Sequence, residues 1–83
     1  MKRKSVKIGQ FEVCELSVRE MMPLMRIMGE DSEDGQMHLI GAAVKIDGKA
    51  IGHEAVEELG MGDYMKLVTA VSEINGLVEA GNG

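Results

Sequence analysis

The residues with the widest chemical repertoire in this sequence are two histidines, His38 and His53, one cysteine, Cys14, and fourteen carboxylates. His53-Glu54 begins in the manner of a zinc-protease helix, in which a second histidine four positions on completes the metal site. That position is Glu57, so the pair does not hold zinc in that way. A site drawn from His38, His53 and Cys14 would need three separate elements to converge, and surface or half-buried positions for each are the simpler expectation. Residues 29–35 read GEDSEDG, with four carboxylates among seven residues. An EF-hand calcium loop needs oxygen ligands at fixed alternate positions and a closing glutamate within twelve residues. The spacing here fails and the segment is too short, so it is expected to be an exposed acidic loop bounded by glycines.

Other catalytic patterns are absent. No serine sits in a Gly-x-Ser-x-Gly elbow, and no Ser-His-Asp set is evident. Gly60-Met61-Gly62 opens like a dinucleotide loop but lacks the third glycine and a preceding strand. These glycines read as helix punctuation. No catalytic residue, metal or cofactor is expected, and the protein is read as one that binds another protein.

Composition narrows the class of partner. The 83 residues suffice for one domain, near the lower limit for a self-sufficient core. Chains of this size often gain stability from a partner or from self-association, so a homo-oligomer is one expectation. The apolar fraction is 45%, too high for a disordered chain. Phe11 and Tyr64 are the only aromatics, which leaves the core to Val, Ile, Leu, Met and Ala. Net charge is −5, unevenly spread. Lys2, Arg3, Lys4 and Lys7 crowd the start, and residues 8–83 then carry five basic against fourteen acidic side chains, a balance of −9. Such a body repels phosphate backbones, so nucleic acid is not an expected partner. A helix-turn-helix outline over residues 53–75 does not alter this, because Lys66 is the only basic residue of the would-be recognition helix, against Asp63 and Glu73. The lone cysteine forms no internal disulfide, which suits a reducing compartment. The basic start is not followed by the apolar run of a signal peptide, and no stretch approaches the length of a membrane span. A cytoplasmic protein with no membrane partner is expected.

The elements that position these residues follow from periodicity and punctuation. Val6 and Ile8, then Phe11 and Val13, alternate with polar neighbours on either side of Gly9-Gln10, which predicts a hairpin over residues 4–15. Ser17 with Glu20 is a capping box, and Leu16 with Met21 a hydrophobic staple, for a helix over 18–28. Pro23 lies in its first turns, where the missing N–H costs little. Met37, Leu39, Ile40, Ala43 and Val44 suit a second helix over 36–46, followed by a tight turn at Asp47-Gly48 and a short extended link. A small second hairpin over 44–51 is the alternative, since Val44, Ile46 and Ile51 are β-branched. Gly52 caps a third helix over 53–59 that ends at Gly60. Tyr64, Leu67, Val68, Val71, Ile74 and Val78 form a stripe at the helical period over 62–79, with Gly76 as its weak point and Gly81-Asn82-Gly83 as a frayed tail. The expected fold is α+β and mostly helical, with an N-terminal β-hairpin followed by about four helices.

Four of the eight methionines, Met21, Met22, Met25 and Met28, crowd the first of these helices. A stripe at helical spacing is the ordinary mark of a core face. Methionine also suits surfaces that receive partners of variable shape, and Met22 lies off the main stripe. These four are the candidate partner-binding residues.

The order of these features resembles that of the small tail assembly chaperones of tailed bacteriophages and prophages, the Mu-like and P2-like groups among them. The resemblance rests on ELSVRE at Glu15–Glu20, the Ile-Asp-Gly-Lys turn at Ile46–Lys49, and the helix entry formed by Leu59, Asp63, Tyr64 and Leu67. It covers nearly the whole chain, and its specificity lies in order and spacing rather than in any one motif. One departure is the strongly acidic 29–35 segment. The resemblance implies a chaperone that binds the long tape-measure protein during tail assembly, keeps it soluble, has no catalytic residues and is absent from the finished virion. In some phages of this kind a longer form arises by ribosomal frameshifting. A structural or adaptor subunit of a tail or head is the alternative function, and a small acidic protein-binding regulator is another.

Overall fold

A computed structural model describes residues 3–77. Its elements are β1 (Ser5–Ile8), β2 (Phe11–Cys14), α1 (Val18–Glu30), α2 (Ser32–Ala43), β3 (Val44–Ile46), β4 (Lys49–Ala50), α3 (Gly52–Glu57) and α4 (Met61–Ile74). The fold is α+β and mostly helical. The expectations for Lys2, Val78 and the Gly81–Gly83 tail lie outside the described residues.

The strands form one antiparallel sheet in the order β1-β2-β3-β4. The register sets Val6 against Val13, Ile8 against Phe11, and Val13 against Val44. Directly opposed residues share a face, so this apolar set turns towards the helices. Phe11, Val13 and Val44 are buried there with Leu39, Ile40 and Ala43 of α2, Val56 of α3, and Leu67 and Val71 of α4. The opposite face carries Lys7, Glu12 and Lys45 in one row of alternating sign. The period-2 pattern thus holds for the N-terminal hairpin as expected.

Several expectations are corrected. The second helix does not run over 36–46. It starts at Ser32 and stops at Ala43, and residues 44–50 form the second hairpin. The turn residues decide this: Asp47 (φ 53) and Gly48 (φ 81) are both left-handed, the conformation of a type I′ turn, which joins twisted strands and favours Asp-Gly. With β-branched residues before it, this turn outweighs the helical spacing of Val44.

The acidic 29–35 segment is not a loop. Asp31 closes α1 through its N–H, which donates to the Ile27 carbonyl at 2.8 Å, and caps α2 through Oδ1, which accepts the Asp34 N–H at 3.1 Å. Glu33 and Asp34 then fall in the first turn of α2, where the helix dipole favours negative charge. Asp31, Glu33 and Asp34 are helix-start residues, Glu30 is the last residue of α1, and one residue separates the two helices. Gly35 is buried in their seam: a Cβ there would stand 2.5 Å from the Met28 N and Cα atoms. Six residues on, Gly41 meets α3 in the same way, with a Cβ 2.6 Å from the His53 N. Two glycines therefore let α2 take a neighbour on each side at backbone contact.

The last helix ends at Ile74, short of the expected 79, and Gly76 is its stop rather than its weak point. Gly76 is left-handed (φ 70). Its N–H donates to the Glu73 carbonyl at 3.2 Å and the Leu77 N–H to the Ser72 carbonyl at 2.7 Å, the paired bonds of a Schellman motif. The third helix is likewise shorter than expected, Gly52–Glu57, with Gly52 inside it rather than at its cap.

Candidate functional site

The first helix is built to leave one side free. The capping box is present: the Glu20 N–H donates to Ser17 Oγ at 3.1 Å and the Ser17 N–H to Glu20 Oε1 at 2.8 Å. Arg3 adds an ion pair to the same carboxylate at 2.7 Å. The Ser17 N–H is the largest cause holding the Glu20 carboxyl below its ordinary value, with the Ser17 hydroxyl and Arg3 adding to it. Fixed in this way, the helix presents two apolar stripes. Met21, Leu24 and Met28 pack against the core, partly buried. Val18, Met22 and Met25, spaced i, i+4 and i+7, stand outside, 77%, 56% and 54% exposed.

The outer stripe faces a groove because Asn75 brings the end of α4 to the start of α1. Asn75 Oδ1 accepts the Leu16 N–H at 2.7 Å, while its Nδ2 donates to the Val71 carbonyl at 3.0 Å and the Cys14 carbonyl at 3.4 Å. The Schellman turn then carries Leu77 alongside. The result is a groove of about 280 Å³ lined by Leu16, Val18, Met21, Met22, Met25 and Leu77, with Glu15, Ser17 and Asn75 at its polar edge. Its size falls just below the usual range of small-molecule sites and matches a few inserted side chains. The Ser17 hydroxyl is engaged by the cap, Asn75 by the junction and Glu15 Oε1 by the Lys4 N–H, and the rest of the lining is apolar.

Of the four candidate methionines, the structure brings Met21, Met22 and Met25 together here. Met28 is elsewhere, at the α1–α2 seam against Gly35. Val18 was legible as a member of the stripe with Met22 and Met25 and was missed. Leu77 and Asn75 had no local signal, because they join the groove from the far end of the chain. A second exposed pair, Met61 and Met65 on α4, 71% and 53% exposed, shows the i, i+4 spacing that sequence could have revealed. Met61 borders a larger groove of about 500 Å³ with Met37, Leu59 and Tyr64.

The two histidines meet each other but not a third ligand among the described residues. His38 and His53 stack across the α2–α3 contact, with ring centroids 4.1 Å apart and planes at 14°. His38 Nδ1 lies 2.9 Å from the Asp34 carbonyl. Among the described residues no three His, Cys, Asp or Glu side chains are grouped so as to hold a metal ion. No helix among them is long and apolar enough to cross a membrane. No protein-family model matches the sequence, and neither a curated protein nor a solved structure is significantly similar to it.

Proposed function

We propose that this protein is a non-catalytic tail assembly chaperone that works in the bacterial cytoplasm, covers apolar seams of the tape-measure protein, and is not retained in the virion. The observation that carries the reading is the outer stripe of α1. Val18, Met22 and Met25 are exposed at the spacing with which helices anchor one another, beside a groove that receives side chains. A tape-measure protein is a long helical chain with such seams. Unbranched methionines adapt to successive, non-identical stretches of it, and the acidic body (net charge −5 for the chain) opposes aggregation of the chaperone itself. The order of motifs from Glu15 to Leu67 supplies the name of the partner by resemblance.

Co-expression with a phage tape-measure protein from the same genome tests the proposal. The expected result is a rise in the soluble fraction of that protein and its recovery in complex with the chaperone. No change in its solubility would remove the reading. Presence of the chain in purified virions would replace it with that of a structural or adaptor subunit.

A further inference from the structure

A second surface lies away from the α1 groove, where the free edge of β1 meets α4. The two-residue hairpin pairs Ile8 with Phe11, and the Glu15 N–H donates to the Lys4 carbonyl at 2.9 Å. Hydrogen-bonded positions alternate along an antiparallel pair, so Lys4, Val6 and Ile8 bond to β2, and Ser5 and Lys7 point their main-chain groups outwards, unpaired by any strand among the described residues. Val6 is 44% exposed on this edge. Beside it runs an open apolar groove between Ile8 and the Met65–Glu73 stretch of α4.

We infer that this face joins two copies of the chain about a two-fold axis, β1 pairing antiparallel with its counterpart and α4 packing antiparallel on its own. Strand register and helix charge both select this arrangement. With the axis at Val6, each Ser5 bonds the other copy's Lys7, Lys4 lies opposite Ile8, and the two Val6 side chains meet. Shifting the axis to Lys7 opposes the two lysines directly, and shifting it to Ser5 sets Arg3 against Lys7. Like charges directly opposed destabilise a pair of strands, so the lysines that would normally protect an edge leave one permitted register. On α4, Lys66 and Glu73 border the same groove, seven residues or two turns apart. Antiparallel packing centred between Thr69 and Ala70 brings Lys66 of each copy to Glu73 of the other. The surface is thus complementary to itself in charge and covers Val6 and Met65, while Met22 and Met25 take no part. The product is a continuous eight-stranded sheet.

Sedimentation velocity on the full chain, with folding checked by circular dichroism, provides the test. A species of twice the chain mass is expected. Lys66→Glu and Glu73→Lys should each weaken it roughly tenfold, as expected when two surface ion pairs per dimer are lost and repulsion is added, and the double exchange should restore it. In a Cys14→Ser background, Val6→Cys should oxidise to a linked dimer and Ser5→Cys should not, because the two Ser5 positions lie beyond disulfide reach. A monomer up to roughly 1 mM, a double exchange no tighter than the single variants, or equal linkage at Ser5 and Val6 would each overturn the inference.

Discussion

Asn75 accepts the Leu16 N–H at 2.7 Å across 59 residues of chain, and this one side chain sets the end of α4 against the entrance of α1. Its amide is used from both sides, since Nδ2 donates to the Val71 and Cys14 carbonyls. Asn75→Ala leaves the half-buried Leu16 N–H without its acceptor, at an expected cost of about 1–3 kcal/mol. Asn75→Asp keeps the acceptor, loses the donor, and should fall between the two. Urea unfolding reads the difference as a lower midpoint at unchanged slope. A variant as stable as the parent would mean that the junction is held by the apolar contacts alone.

The glycines of α2 and α1 predict opposite outcomes for one substitution. Gly41→Ala places a methyl group 2.6 Å from the His53 N, against backbone that has no rotamer to yield. Overpacking of this kind costs about 1–3 kcal/mol or more, and here it also parts the His38–His53 stack. Gly29→Ala, in α1 with nothing within 4 Å of the new methyl, should stabilise by roughly 0.5–1 kcal/mol through backbone entropy. Thermal melts of the two variants should move in opposite directions.

What could be read from sequence divides along the same line as these contacts. The capping box, the hairpin alternation and the Leu67–Val71 stripe are local patterns and were legible. GEDSEDG was misread because its composition is that of a loop, whereas Asp31 with Asp34 three residues later is a helix start. Its reading depended on seeing Gly35 as a seam residue, which only the position of Met28 reveals. The Asp47-Gly48 turn was recognised, yet the strands it joins are three and two residues long, too short for alternation to register. Asn75 and Leu77 belong to the groove through tertiary contact alone, and no periodicity marks them.

Acid should loosen the start of α1. The Glu20 carboxyl is held below its ordinary value of 4.5, chiefly by the Ser17 N–H. A group with a lowered folded value stabilises above its unfolded value and loses that contribution as pH falls through the folded one. The cap is therefore complete at neutral pH and is lost below 4.5. Carboxyl NMR should show Glu20 titrating below 4.5. Arg3→Ala should leave most of the lowering in place, because the largest cause remains. A return to 4.5 in that variant would assign the shift to the ion pair instead.

Met22 and Met28 separate binding from folding on a single helix. Met28 is partly buried against the core and sits on Gly35. Its truncation to alanine removes packing at the α1–α2 seam and should cost about 1–3 kcal/mol, below the full-burial range for this change. Met22 is 56% exposed with no core contact to lose, so Met22→Ser should change stability by less than about 0.5 kcal/mol. The order reverses for the proposed activity. Met22→Ser, and more strongly Met22→Ser with Met25→Ser, should reduce the soluble yield of co-expressed tape-measure protein while the chaperone's own melt stays in place. Met28→Ala should reduce that yield only in proportion to the folded protein that remains. Equal loss from both substitutions after correction for folded protein would place the contact across the whole helix. Loss from Met28→Ala alone would move it away from the α1 groove.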